Sequence, residues 1–192
     1  MTLQELYRKL DYVNHSRERR AEMSALILDN PTLMAPLMEI AFRVDDPVSS
    51  RACWVMEFTV KRNLSYLYPY LDGFTKNLER VYLDSSVRPV AKICELLMES
   101  YFSEPQNETR RTMTDLHLEQ IVSACFDWLI GEHKVAPQAY SMTSLLLLGR
   151  KFDWIRPELK MVLEQNYAAG SPAFQARARM TLAKIDRSTT AS

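Results

Sequence analysis

Glu57 in "RACWVMEF" and Glu95 in "VAKICELL" hold similar positions in two apolar runs of helical period. Carboxylates aligned in this way can divide general-acid and general-base work, but only inside a pocket that separates their pKa values. The flanking residues give no sign of one, so a salt-bridge ladder or a solvated ridge is the expected role of the pair. No catalytic residue is nominated. The three histidines, His15, His117 and His133, fit neither an HExxH nor a Cys/His spacing, and Asp115, His117 and Glu119 alternate so that a helix splits them. No metal or other cofactor is expected. No GxGxxG, GxxxxGK[ST] or GxSxG string occurs, which leaves phosphate cradling and serine-nucleophile chemistry without a candidate.

Cys53, Cys94 and Cys125 each sit in an apolar helical run without a CxxC partner, and buried thiols are expected. The tryptophans, Trp54, Trp128 and Trp154, are also expected to pack in the interior; Trp128 fits the apolar period of its helix beside Cys125 and Leu129. "RERR" and "TRRT" are short basic clusters of an ordinary solvated kind.

These residues must be positioned by helices. Only four glycines occur in 192 residues, and apolar residues recur at spacings of three and four rather than alternating. "LQELYRKLDYV" sets Leu3, Leu6, Tyr7 and Leu10 on one stripe, and "SRERRAEMSALILDN" continues with Met23, Leu26 and Ile27, so these two segments are expected to form a first helical hairpin. With 47% hydrophobic and 25% charged residues the chain can build a real core, and one domain is expected over 1–187, followed by a frayed tail at 188–192. Twenty-four basic and 24 acidic side chains cancel, which removes the broad positive field of a nonspecific nucleic-acid binder. Neither a signal-like apolar stretch nor a membrane span is present, and a cytoplasmic location is expected.

A large apolar residue followed four later by alanine, just after turn-formers, recurs along the chain. The pairs are Val48 and Ala52, Val87 and Ala91, Val135 and Ala139, and Phe174 and Ala178. Val87 follows Val48 by 39 residues, Val135 follows Val87 by 48, and Phe174 follows Val135 by 39. A period near 39 suits two-helix solenoid repeats. The longer interval is assigned to the polar stretch 103–114, expected to be an enlarged, mobile loop. In "LDSSVRPVAKICELL", Asp84, Ser85 or Ser86 can cap the coming helix, and Pro89 falls early enough to cost little. Prolines in "LMAPLM", "YLYPYL" and "WIRPEL" mark further helix starts or kinks.

Asp84, Val87, Arg88 and Ala91 resemble the second-helix signature of HEAT repeats, and the chain as a whole resembles a short HEAT or armadillo-type α-solenoid. The segment 45–52 keeps the acid, valine and alanine but carries its arginine at Arg51, and the starts at 135 and 174 keep only the apolar-alanine spacing. The resemblance implies that Arg88 pairs with acids in the adjacent unit. The chain is also similar to small bacterial proteins of this type that have been filed under adenylosuccinate lyase. That activity is not expected, because the lyase family needs a much longer chain and an SSxMPxKxN loop that does not occur here. A comparison with HEAT-like alkylpurine DNA glycosylases would set Asp127 beside Trp128, with Lys92, Arg177 and Arg179 facing phosphates; neutral overall charge ranks this nucleic-acid alternative second.

The fold expected is all-α, a right-handed α-α superhelix of about five helical hairpins whose second helices line a concave face. The function expected is a noncatalytic interaction module presenting that face to a protein or peptide, with Arg51, Trp54, Glu57, Lys92, Glu95, Tyr140 and Ser144 exposed on it. Oligomeric state is not legible.

Overall fold

A computed structural model describes the backbone of residues 1–190 and the side chains of residues 1–187. The helical apolar spacing is realised throughout, with no strand among the described residues. Thr2 and Glu5 form a reciprocal capping box that starts α1 (Leu3–Asp11), and the Ser16 side chain accepts from the Arg19 amide to start α2 (Arg17–Asp29). Then follow α3 (Met34–Ala41), α4 (Pro47–Arg62), α5 (Leu71–Lys76) and α6 (Asp84–Tyr101). The remainder comprises α7 (Glu108–Thr112), α8 (Asp115–Ile130), α9 (Val135–Leu148), α10 (Ile155–Tyr167) and α11 (Pro172–Thr190). The expected tail at 188–192 overlaps the end of α11, and its final two residues lie outside the described residues.

Helix α2 packs on α4, α4 on α6, α6 on α9, and α9 on α11. The other helices flank this series: α3 lies against α4, α8 against α5 and α9, and α10 against α9 and α11. The four recurring apolar-alanine pairs stand in the first turns of α4, α6, α9 and α11. Val48, Ala52, Val87, Ala91, Phe174 and Ala178 are buried, whereas Val135 and Ala139 are half-buried. Each fully buried valine or phenylalanine contributes on the order of 1.5–3 kcal/mol, and the alanine one turn on lets the next helix come close.

Two local expectations are corrected. Helices α1 and α2 pack chiefly on other elements rather than as a hairpin on each other: α1 lies on α3 and α4, and α2 on α4. The stripe Leu6 and Leu10 of α1 is fully buried there, so α1 gains more apolar cover from α3 and α4 than α2 offers. The stretch 103–114 contains α7 and is tied down rather than free. Asn107 accepts from the Arg110 amide at 2.9 Å and donates to the Ser100 carbonyl at 2.7 Å, while the buried Thr109 hydroxyl lies 2.6 Å from both Tyr68 Oη and Ser100 Oγ. Its polar residues serve as caps and knots, which an apolar periodicity cannot register.

Prolines take the first turn of α3 and α10, as expected, while Pro69 sits in a 3-10 segment, Leu64–Tyr70. Pro89 has a more specific consequence. It is the sixth residue of α6, and its missing amide hydrogen leaves the carbonyl of Ser85 without its i+4 donor. The indole N–H of Trp54 fills that place, donating to the Ser85 carbonyl at 2.7 Å.

Candidate functional site

Asp84, Ser85 and Ser86 do not cap α6. Leu83 is the capping residue, and the three polar side chains lie inside the first helical turn, where they join helices instead. Ser50 Oγ of α4 is 2.7 Å from Ser85 Oγ and 2.8 Å from Ser86 Oγ, and Asp84 holds His133 at 2.9 Å. With the Trp54 indole bond, these contacts fix the register of α4 against α6 and set the beginning of α9 beside both.

That register places two acid-base stations on one face of the α4-α6-α9-α11 series. At the first, Glu57 is fully buried, accepts two bonds from the Arg88 guanidinium of α6 (2.7 and 3.3 Å), and meets Lys61 at 2.5 Å. At the second, Glu95 is 4% exposed, is bonded by Lys92, and has Arg177 of α11 at 3.9 Å. The salt-bridge role expected for these carboxylates is the observed one, and the partner of Arg88 is an acid of the neighbouring helix α4.

Cations reach across intervening helices on this face. Arg20 of α2 spreads over the Phe58 ring of α4 at 4.8 Å and faces Arg88 of α6. Burial and the neighbouring Arg88 and Arg17 press the ionisation of Arg20 below the ordinary arginine range, with Glu57 acting in the opposite sense. Arg177 of α11 bonds Thr143 of α9 and reaches toward Glu95 of α6. Lys92 lies over the Tyr140 ring at 5.0 Å; burial pulls its pKa down, but the Glu95 hydrogen bond and the Glu95 and Glu99 charges carry it above the usual lysine value.

A cavity of about 400 Å³ opens between these helices. Arg20, Arg88 and Lys134 converge on it, Trp54 and His15 (ring centroids 4.8 Å apart) line its side, and Asp84 is its one carboxylate. A concave site lined by cations and aromatic edges suits an anionic group, because guanidinium and ammonium donors form charge-assisted hydrogen bonds with a carboxylate or phosphate.

The predicted surface residues divide. Arg51 is half-buried and bonded to Asp11, and Lys92 and Tyr140 are half-buried on the face. Glu57, Glu95, Trp54 and Ser144 are buried, which corrects the expectation that they stand open to solvent on the face, while for Trp54 it agrees with the expectation of interior packing. Trp54 is held by its Ser85 bond, and Ser144 turns inward and donates to the Tyr140 carbonyl at 3.1 Å. Trp128 is buried as expected, but Trp154, at 55% exposed, is not: it precedes α10 and covers only one face, against Phe126. Asp127 lies on the surface of α8 beside Glu79, apart from the meeting of Lys92 and Arg177 at Glu95. All three cysteines are free and buried. Arg20, His15 and Lys134 escaped sequence reasoning, since "RERR" gives no sign of which of its arginines turns inward. The described residues contain no group of acids, histidines and cysteines arranged for a metal ion.

Comparison with protein-family profiles, with curated proteins and with solved structures gives no significant match to this chain.

Proposed function

We propose that the chain is a noncatalytic binding module of the HEAT-like α-solenoid type, whose second helices present a basic, aromatic-edged groove to an acidic segment of a protein partner in the cytoplasm. The solenoid reading draws support from the serial packing of α2, α4, α6, α9 and α11 and from the neighbouring pairs α3-α4, α8-α9 and α10-α11. Curvature draws support from Arg177 of α11, which stands 3.9 Å from Glu95 of α6, and from Arg20 of α2 and Arg88 of α6, which line one cavity. Among the described residues no helix is long and apolar enough to cross a membrane.

The observation that carries the functional reading is the convergence of Arg20, Arg88 and Lys134 on one cavity beside Trp54. Its only lining carboxylate, Asp84, is already engaged by His133. An acidic peptide is favoured over nucleic acid because the cations further along the face are interleaved with Glu57 and Glu95, giving short positive steps instead of a continuous track.

Fluorescence anisotropy with a short glutamate-rich peptide and with short duplex DNA tests this reading. The peptide is expected to bind at physiological salt, and the double charge reversal Arg20→Glu and Lys134→Glu is expected to weaken it about tenfold or more. Retention of duplex DNA with a steep salt dependence, without peptide binding, overturns the ranking in favour of a nucleic-acid partner.

A further inference from the structure

A second cavity, of about 380 Å³, lies away from the basic groove, where the link between α9 and α10 crosses α8. Glu119, Val122, Ser123 and Phe126 line it from α8 at i, i+3, i+4 and i+7, the spacing that puts four side chains on one helical stripe. Phe152 and Trp154 supply the opposite side. The Trp154 and Phe126 rings are nearly parallel, 20° between planes, with centroids 5.9 Å apart. That offset leaves much of the indole uncovered, at 55% exposure for Trp154, whereas Trp54 and Trp128 are buried.

The electrostatics of this cavity are opposite to those of the groove. The exposed Glu119 carboxylate has no hydrogen bond or ion pair among the described residues. Glu79, bonded to Ser123 at 2.7 Å, and Asp127 add negative charge along the same side of α8. Lys151, the near cation, pairs with Asp115 at 2.7 Å and does not line the cavity. Its ammonium does stand 5.9 Å from the Phe152 ring centre, so the chain already sets a cation against one of these rings.

Aromatic faces carry negative potential and attract cations whose hydration is weak, and indole does so most strongly. A free primary ammonium or an inorganic ion holds its water more tightly than a methylated ammonium does, and so gains less from such a surface. A methylated ammonium is charged enough for Glu119 and apolar enough for Phe126, Phe152, Val122 and Trp154. We infer that the cavity between α8 and the α9-α10 link is a binding site for a small methylated organic ammonium ion, with Trp154 as the principal ring contact and Glu119 as counter-ion.

Because Trp154 is the exposed tryptophan, its fluorescence reports the site directly. Titration with tetramethylammonium and with choline is expected to change emission saturably, and 3,3-dimethylbutanol, the neutral isostere of choline, is expected to bind about tenfold more weakly or worse. Glu119→Gln is expected to weaken choline about threefold to tenfold, and Trp154→Leu to abolish the line broadening of choline methyl protons, a readout that does not need the fluorophore. Both side chains are exposed, so far-UV circular dichroism is expected to be unchanged, and Glu119→Gln stands alone as a test if Trp154→Leu does not fold. Equal binding of choline and its neutral isostere, binding indifferent to Glu119→Gln, or no saturable binding overturns the assignment.

Discussion

Glu57 and Glu95 occupy similar places on adjacent helices, α4 and α6, and both are withdrawn from water, yet they are held in different ways. Glu57 uses both carboxylate oxygens: Arg88 approaches from α6 in a fork, and Lys61 closes the other side from within α4. Glu95 is bonded by Lys92 of its own helix, while Arg177 stops at 3.9 Å, beyond hydrogen-bond distance. The first station is a staple between helices; the second is a local pair with a loosely attached visitor. The same residue type at similar positions thus carries different mechanical roles. Placement makes the difference: the Arg88 guanidinium comes close enough to satisfy both oxygens of Glu57, whereas that of Arg177 is bonded to Thr143 and stays 3.9 Å from Glu95.

The largest expected effect tests the apolar floor that both stations share. Burial pushes the Cys53 and Cys125 thiols up to about 12 and the Cys94 thiol well above its ordinary value. A raised folded pKa means the contribution is fully present below the unfolded value near 9 and is lost as pH climbs from there toward 12. Cys53 and Cys125 each account for up to about 4 kcal/mol over that window, and Cys94 acts in the same direction. Urea midpoints are expected to fall steeply above pH 9, and Cys53→Ala or Cys125→Ala to flatten the decline. At pH 8, thiol labelling is expected to proceed only as fast as the protein unfolds; rapid labelling of the native state would contradict burial of the thiols.

Next in size is the staple. Glu57→Ala leaves Arg88 and Arg20 facing each other without their shared acid, and is expected to cost about 3 kcal/mol in urea unfolding. Glu95→Ala is expected to cost less, about 1–2 kcal/mol, since Lys92 and Arg177 can turn to solvent. A double-mutant cycle is the sharper measurement: coupling between Glu57 and Arg88 is expected at about 1–3 kcal/mol, and between Glu95 and Arg177 below about 0.5 kcal/mol. Equal couplings would erase the distinction between the stations.

Smaller still is the bond that Pro89 makes possible. Trp54→Phe removes the donor to the Ser85 carbonyl and is expected to cost about 1 kcal/mol. Because Pro89→Ala restores an amide at the i+4 position, the loss caused by Trp54→Phe is expected to shrink in the Pro89→Ala background; an undiminished loss would show that the carbonyl does not depend on Trp54. The smallest effect belongs to Arg51→Ala. Its pairing with the exposed Asp11 is worth under about 0.5 kcal/mol and is expected to vanish in high salt.

Much of the scaffold was legible because its signals are local. Turn-formers before Val48, Val87, Val135 and Phe174 fall at the starts of α4, α6, α9 and α11, and the apolar runs around Cys53, Cys94 and Cys125 do enclose buried thiols. The acid partner of Arg88 was anticipated from resemblance to HEAT repeats. The site was less legible. Helical spacing sorted residues onto faces but did not reveal that Glu57, Glu95 and Ser144 would be covered, since the cover comes from neighbouring helices and from long cations that lie over them. Trp154 reads as one more apolar residue, and only the path of the α9-α10 link leaves it outside.

The sequence by itself determined that this chain is helical, where α4, α6, α9 and α11 begin, and which side of each is apolar, because caps, prolines and a 3.6-residue period act within a few turns. The tertiary structure alone decided which cations meet Glu57 and Glu95, that Arg20, Arg88 and Lys134 share a cavity, and that Trp154 stands open beside Glu119. Those meetings join residues from separate helices, and their distances follow from the angles at which the helices dock, to which many packed side chains contribute together.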